Sequence, residues 1–517
     1  MYWGDEVFTS FRIAGYTIQE VIQDVFDNQP KTFKQLQHYQ QPNNERNITD
    51  TIKSLAIEDS QHPPLYYIIA YYWEKFLGSD LVIRRSLPAL ISLFVFPFLY
   101  LLCLELFASP IMGWIAMAIV AVSPFHVLYA QEVREYSLWT VTILLSSWLL
   151  LRAMRLNSKF SWITYAVSLP ILLYTYLFSI LILIGHVIYV FGIEGWQWSR
   201  KKINFLLASS FGLFTFLPWL TIAIANTSTI QDTTSQLKSK ISLISLIQIW
   251  LFNLSRIFID LDSQGEILND HHLEPIGIII IFSLMLLVAY STYFICRKTN
   301  KKVWLFILTL MGITAGVLVL PDLVLGGIRS CMPRYLVPCY LGIQLAVTYF
   351  IYNLLRNQLN LNKIFYIKIF DKNYIYLGQL IFILLISAGI LSCATANQAK
   401  SWWNKYGSYY NPQIAEIINQ AESPLVVANG SIPRVFSLSY LLERKVHIKF
   451  EEEKNTGQTL DNFSDVFLYR PSDRLLSQLK KEKQIKIERV YHSQPIYQYL
   501  EPVSQHSKIW LWKLAKS

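Results

Sequence analysis

Charge is scarce in this sequence, and where it occurs it is bunched. Only 15% of the 517 residues are Asp, Glu, Lys or Arg, against 53% hydrophobic, a balance that excludes an ordinary soluble domain. Cysteine is sparse too. Cys103, Cys296 and Cys393 fall in or at the ends of apolar runs, while Cys331 and Cys339 flank "MPRYLVP". That spacing offers neither a zinc site nor a disulfide framework. No internal repeat and no low-complexity tract is present. The net charge of +10 lies largely in short blocks beside apolar segments, "RAMRLNSK", "WSRKK" and "CRKTNKK", rather than on one amphipathic face. It therefore points to membrane anchoring and away from nucleic acid.

What the chain has in abundance is long apolar runs. "LPALISLFVFPFLYLLCLEL", "PIGIIIIFSLMLLVAYSTYF" and "YIYLGQLIFILLISAGILSCA" each approach the roughly 20 residues that cross the hydrocarbon layer as a helix. The pattern predicts a polytopic α-helical membrane protein. Ten spans can be drawn, near 86–107, 110–128, 136–154, 160–176, 178–193, 203–224, 275–296, 303–320, 334–355 and 374–396. Alternating them gathers Arg152, Arg155 and Lys159, then Arg200 to Lys202, then Arg297 to Lys302, then Arg356, Lys363 and Lys368 on one side, which is then cytoplasmic. Residues 1–85, the "YAQEVREY" turn, the 225–273 loop, "PDLVLGGIRSCMPR" and the tail fall outside. "PPLYYIIAYYWEKFLG" is expected to lie as an interfacial helix, because a crossing there would reverse every later basic block. "MYWGDEVFTSF" would lie outside with nothing before it to carry it across, so a further span is expected upstream.

Three units follow: 1–85 as an outer first loop with interfacial helices, 86–396 as the membrane module, and 397–517 as a small extracytoplasmic α/β domain. The tail alternates β-rich runs ("PLVVAN", "VHIKF", "DVFLYR", "IKIERVY", "IWLWKL") with helical ones ("NPQIAEIINQAE", "PRVFSLSYLLE", "SDRLLSQLKKEK").

Five outer segments carry groups that can do chemistry. Asp5 and Glu6 stand next to each other, so on a helix they point about 100° apart. One can face a substrate while the other holds a metal, a base or the backbone; equally, both can be acids that favour a helix start. In "EDSQHPPLYY" the double proline fixes the chain and sets Asp59 and His62 at headgroup depth, or merely caps a helix. "YAQEVREYSL" puts Glu132 and Tyr136 one helical turn apart with Arg134 pointing elsewhere, at the mouth of two spans. A solvated turn is the plain alternative, but charge at such a mouth is a functional candidate. Arg334 in "CMPRYLVP" is either an anchor or part of the same site. In "DHHLEP", Asp270, His271, His272 and Glu274 lack further ligand spacing and point only weakly to metal.

An outer acidic pair, then "HPPLYY" heading a short helix, then "SPFHVLYAQEVREYSL", then "RYLVP" on a late span together resemble the polytopic C-superfamily of glycosyltransferases. The similarity is to the protein mannosyltransferase and aminoarabinose transferase type, including the bacterial branch that decorates lipopolysaccharide cores, and it covers about residues 1–355. That family's first span is missing here. The resemblance implies a polyprenyl-phosphate sugar donor, a hexose or pentose, and a lipid, glycan or protein acceptor, joined by single displacement with inversion outside the cytoplasmic membrane. It implies Asp5 as general base, Glu6 orienting it or sharing a divalent ion if one is used, and His62, Arg134 and Arg334 near the departing phosphate. Glu132 would hold Arg134 or the sugar hydroxyls. Where the aminoarabinose type has a basic residue after the acidic pair and a lysine before the proline, this chain has "DEVFTS" and "QHPP", so its phosphate contacts are expected to be distributed differently. The rival readings are a transporter or flippase of lipid-linked sugars, and a scaffold whose outer domain binds a partner. Transporters commonly carry repeats and midplane charge, neither of which is visible.

Overall fold

The computed structural model describes residues 1–260, 275–360, 366–370, 373–430, 432–451, 463–480, 485–492 and 509–516. The chain starts with a helical head. Helix α1 (Gly4–Ala14) stops at Gly15, whose φ of 85° turns its N–H back onto the Arg12 and Phe11 carbonyls. A Cβ there would also press on Asp50, so the turn favours glycine twice over. Helix α2 (Ile18–Val25) begins in a Thr17/Glu20 capping box. The two-residue strand β1 (Lys31–Thr32), α3 (Ile48–Glu58) and α4 (Leu65–Leu77) complete the head.

Helix α4 is the "PPLYY" segment. Its 13 residues extend only about 20 Å at 1.5 Å per residue, too little to cross about 30 Å of hydrocarbon. One face buries Tyr66, Tyr67 and Tyr71 together with Glu74, whose carboxylate lies 3.2 Å from the Arg84 guanidinium.

The apolar segments drawn from the sequence form helices: α5 (Leu81–Ser92) with α6 (Val95–Phe107), α7 (Pro110–Ala121) with α8 (Pro124–Ala130), α9 (Tyr136–Leu156), α10 (Lys159–Leu173), α11 (Ser179–Glu194), α12 (Arg200–Ala225), α14 (Pro275–Lys298) after α13 (Leu243–Ser255), α15 (Lys301–Leu325), α16 (Val337–Asn360) and α17 (Leu377–Gln398). Seven of these stretches are long and apolar enough to cross a membrane, and α7 with α8, bent by 65°, would make an eighth. Ten were expected. Helices α10 and α11, at 15 and 16 residues, fall short of the roughly 20 a single crossing needs. The bend follows from sequence: Ser123 donates to the Ile257 carbonyl (2.7 Å), and Pro124 starts the second helix where its missing N–H costs nothing.

Burial sorts the helices. The central windows of α9 and α16 are 83% buried, against 17% for α14 and 33% for α12, so two inner helices are ringed by outer ones. The outer faces show Phe94, Trp114, Phe160, Phe214, Phe282 and Val324 to their surroundings. Apolar surface on that scale is stable against lipid, not water, and the chain is an integral membrane protein. Helix α9 also measures the bundle: 21 residues, about 30 Å, separate Tyr136 at one end from Arg152 and Arg155 near the other.

The tail folds into a mixed sheet. A short hairpin, β2 (Tyr366–Phe370) and β3 (Asn373–Tyr376), precedes it. The sheet order is β1-β5-β4-β6-β8-β7, with β4 (Pro424–Ala428) parallel to both β5 (His447–Phe450) and β6 (Asp465–Tyr469). Strands β7 (Ile485–His492) and β8 (Ile509–Lys516) pair antiparallel at one edge. All five runs read as strands from the sequence are strands, and all three runs read as helical contain helices (Asn411–Asn419, Ile432–Ser439, Asp473–Leu479). The sixth strand, β1, comes from the head and pairs with β5. Head and tail, drawn as separate units from the sequence, thus share one core, in which Val7 and Phe11 of α1 pack with Val426, Phe436 and Phe450.

Candidate active site

Residues 131–135, between α8 and α9, form a non-helical loop in which consecutive charges face different ways. Glu132 is fully buried, and one of its carboxylate oxygens accepts from Lys405 Nζ (2.7 Å) and from the Asn404 amide. The Val133 N–H donates to Glu6 Oε1 (3.1 Å). Arg134 donates to Thr9 Oγ1 (2.9 Å) and reaches His62 Nε2 (3.3 Å). Glu135 lies 2.8 Å from His62 Nδ1 and 3.5 Å from Arg134 Nη2. A guanidinium can only donate, so His62 Nε2 accepts from Arg134 and the ring proton sits on Nδ1, facing Glu135. The tautomer is fixed by its two neighbours. Burial pushes the Glu135 carboxyl up, but the Arg134 charge and the His62 ring N–H facing it pull it down further, to about 2. Glu132 goes the other way: burial raises it, Lys405 opposes, and the nearby Glu6 carboxylate raises it again.

This loop forms one wall of a cavity of about 500 Å³ at the end of the bundle opposite Arg152 and Arg155. Asp5, His62, Arg134 and Arg334 all line it. The Asp5 carboxylate is about a quarter exposed and lies 3.2 Å from Arg334 Nη1. Arg334 stands on a 3-10 turn, Pro333–Leu336, that leads into α16. His62 is held by the loop before α4, where the His62 N–H donates to the Asp59 carbonyl (2.9 Å) and the Leu65 N–H, just past the double proline, donates to the Tyr174 carbonyl (3.1 Å). Tyr136, Tyr176 and Tyr335 supply aromatic faces.

Four of the six sequence candidates therefore share one cavity, and two do not. Glu6, one residue and about 100° around α1 from Asp5, points into the protein. Arg85 grips both its oxygens (3.0 and 2.7 Å). Burial raises its carboxyl, and the Arg85 and Lys405 charges bring it below the ordinary range. With Arg85 and the Val133 N–H on its oxygens, Glu6 joins α1 to α5 and to the loop, and does not touch Asp5 through its carboxylate. Glu132 was expected to hold Arg134 or the sugar hydroxyls; Glu135 is the carboxylate beside Arg134, and the non-helical loop turns Glu132 towards Lys405. Asp270, His271, His272 and Glu274 lie outside the described residues, and among the described residues no three His, Cys, Asp or Glu cluster as metal ligands. Arg85→Met would leave the Glu6 carboxylate buried with a single donor. It is expected to destabilise the detergent-solubilised protein by about 3–5 kcal/mol, read from its unfolding midpoint; an unchanged midpoint would contradict the role given to this pair.

Sequence reasoning missed three cations of the cavity lining. Arg12 is buried and paired with Glu58 (2.9 Å) and Asp59 (3.4 Å). Its signal was there, because Asp5, Phe8 and Arg12 fall at i, i+3 and i+7 on one face of α1. Arg329 sits in the quoted "GGIRSCMPR" and pairs with Asp322 (2.8 Å). Lys238 reaches the rim because the Leu237 carbonyl accepts from the Ile328 N–H (2.9 Å), a contact no local pattern announces.

Two solved structures resemble the fold. One is ArnT from Cupriavidus metallidurans bound to undecaprenyl phosphate, at 12% identity and TM-score 0.48 over 88% of each chain. The other is the apo state of ArnT from the same organism, at 10% identity and TM-score 0.48, covering 88% of this chain and 87% of that one. Likeness at this level assigns no activity. No protein-family model and no curated protein matches the chain.

Proposed function

We propose that this protein is a membrane glycosyltransferase that moves a sugar from a polyprenyl-phosphate donor to a lipid, glycan or protein hydroxyl on the non-cytoplasmic face. The observation that carries the reading is the cavity itself. It holds a partly exposed carboxylate, Asp5, within 3.2 Å of a guanidinium, with Arg134 and His62 on the same lining and lipid-facing helices beneath it. Transfer breaks the bond from anomeric carbon to phosphate oxygen as the acceptor oxygen attacks from the opposite side, which inverts the centre. Asp5 takes the acceptor's proton. Arg134 and Arg334 hold the phosphate as negative charge grows on its bridging oxygen, where a guanidinium can bind two oxygens at once.

The Asp5–Arg334 pair gives this scheme an order of events. The Arg334 guanidinium occupies the Asp5 carboxylate. A phosphate entering the cavity competes for Arg334, so donor binding frees Asp5 at the moment a base is needed. Glu6, Glu132 and Glu135 position these groups and do not react.

Sidedness rests on charge. Arg152 and Arg155, Arg200 to Lys202, Arg297 to Lys302 and Arg356 sit at helix ends away from the cavity, and basic blocks stay in the cytoplasm. With the five native cysteines replaced, Lys486→Cys on the exposed tail should react with a membrane-impermeant maleimide added to intact cells, and Trp196→Cys in the exposed turn beside Arg200 should react only after lysis. The reverse pattern would place the cavity on the cytoplasmic side. The activity is tested by incubating membranes containing the protein with a panel of polyprenyl-phosphate sugars. One donor should lose its sugar and leave free polyprenyl phosphate; a panel that stays intact would overturn the reading.

A further inference from the structure

We propose that Lys405 is a positioning residue of the transfer site, through which the tail sheet fixes the loop that carries Arg134. The proposal rests on the glycosyltransferase reading for its consequence, not for its structural claim. The turn Trp403–Ser408 leaves the end of α17 and enters the protein between the loop and the sheet. On its loop side, Asn404 and Lys405 hold Glu132. Toward the sheet, the Gly407 carbonyl accepts from Arg470 Nη1 (3.0 Å), just past β6. A Cβ on Gly407 would meet the Arg434 guanidinium, so the turn and that side chain lie in close contact. Behind it, the Trp402 and Trp403 indoles both donate to Asp260 Oδ2 (2.9 and 2.7 Å).

A turn clamped from three sides can sustain an unfavourable backbone, and this one does. Tyr406 has φ 37° and ψ −121°, a region that non-glycine residues avoid and that persists only where surroundings impose it. Tyr406 packs on Trp3 (5.7 Å between rings), and the Lys405 ammonium lies 5.3 Å above the same indole. The turn thus bears on both the N-terminal end of α1, next to Asp5, and the loop, two residues before Arg134.

Electrostatics makes Lys405 the critical member. Glu132 has no exposed surface, and its second oxygen has no hydrogen-bond partner among the described residues. Arg85, also nearby, is engaged by Glu6. Without Lys405 the Glu132 charge has only the Asn404 amide, and a buried unpaired carboxylate moves towards water or takes a proton. Either response displaces the loop, and the Arg134 N–H is bonded to the Glu132 carbonyl (2.7 Å), so Arg134 moves with it.

The test uses the full-length protein in detergent with Lys405→Met, Lys405→Arg, Glu132→Gln and the double variant Lys405→Met/Glu132→Gln. Amide hydrogen exchange across 131–136 should rise at least tenfold in Lys405→Met while exchange within α9 and α16 stays at the parental rate. It should stay near parental in Lys405→Arg, and recover in the double variant, where no charge is left stranded. Binding of undecaprenyl phosphate should weaken about tenfold in Lys405→Met and recover in the same two variants. Unchanged loop exchange in Lys405→Met, a rise spread over the whole protein, or altered exchange with parental binding would each overturn the positioning role. If the parent itself binds no undecaprenyl phosphate, the donor assignment falls, and the exchange pattern still decides whether Lys405 holds the loop.

Discussion

Asp5→Asn is expected to lower sugar transfer by at least about 100-fold, the scale of a lost general base, while donor binding changes little. Asparagine keeps the size of the side chain and an oxygen that can still accept from Arg334, so the 3.2 Å contact has a neutral replacement. What it cannot do is take a proton. The plain alternative, a helix-start acid, predicts a stability loss of about 1 kcal/mol or less and near-normal turnover. Measured with purified, folded variant and its true donor, turnover close to parental would remove Asp5 from the chemistry. The next candidates would then be Glu58 and Asp59, which also line the cavity, and not Glu6 or Glu132, which are buried and paired.

Arg134→Ala should fail differently. Its guanidinium is buried among Thr9, His62, Glu135 and Tyr136, and its removal takes away charge that the departing phosphate needs. A fall of about 100- to 1,000-fold in kcat is expected, the scale of one lost transition-state donor. KM for the donor should rise as well, because ground-state phosphate feels the same charge. Loss of the arginine also leaves the buried Glu135 carboxylate with the His62 ring beside it and no guanidinium, so Arg134→Lys serves as the control: it restores charge without the two-oxygen geometry and should recover part of the binding but less of the rate. Parental kcat with a raised KM would confine Arg134 to donor binding.

The sequence was most legible where physics is local. A run of about 20 apolar residues has few alternatives in water or lipid, so each such run is helical, and α/β alternation in the tail gave its five strands and three helices. It was less legible where one helix is short or bent: α10 and α11 are apolar but too brief for an unaided crossing. The site divided along the same line. Asp5, His62, Arg134 and Arg334 were found because each stands at the end of a helix or beside a proline. The partners were not. Glu135 has no role in the sequence reading, which follows the resemblance to Glu132, and Lys405 lies 273 residues from the carboxylate it holds, a pairing that only folding creates. Strand β1 was invisible for a similar reason: two residues carry no period, and its partner is more than 400 positions away.

The central claim is that the cavity breaks a sugar–phosphate bond. The most direct measurement follows donor and product together in sealed proteoliposomes supplied with the active polyprenyl-phosphate sugar and an acceptor. The account predicts one free polyprenyl phosphate for each sugar transferred, on the side of the membrane that carries the tail, and release reduced at least about 100-fold in vesicles holding Asp5→Asn. Lipid-linked sugar that crosses the bilayer with its phosphate bond intact, at equal rates in parent and Asp5→Asn, would contradict it and make the protein a carrier.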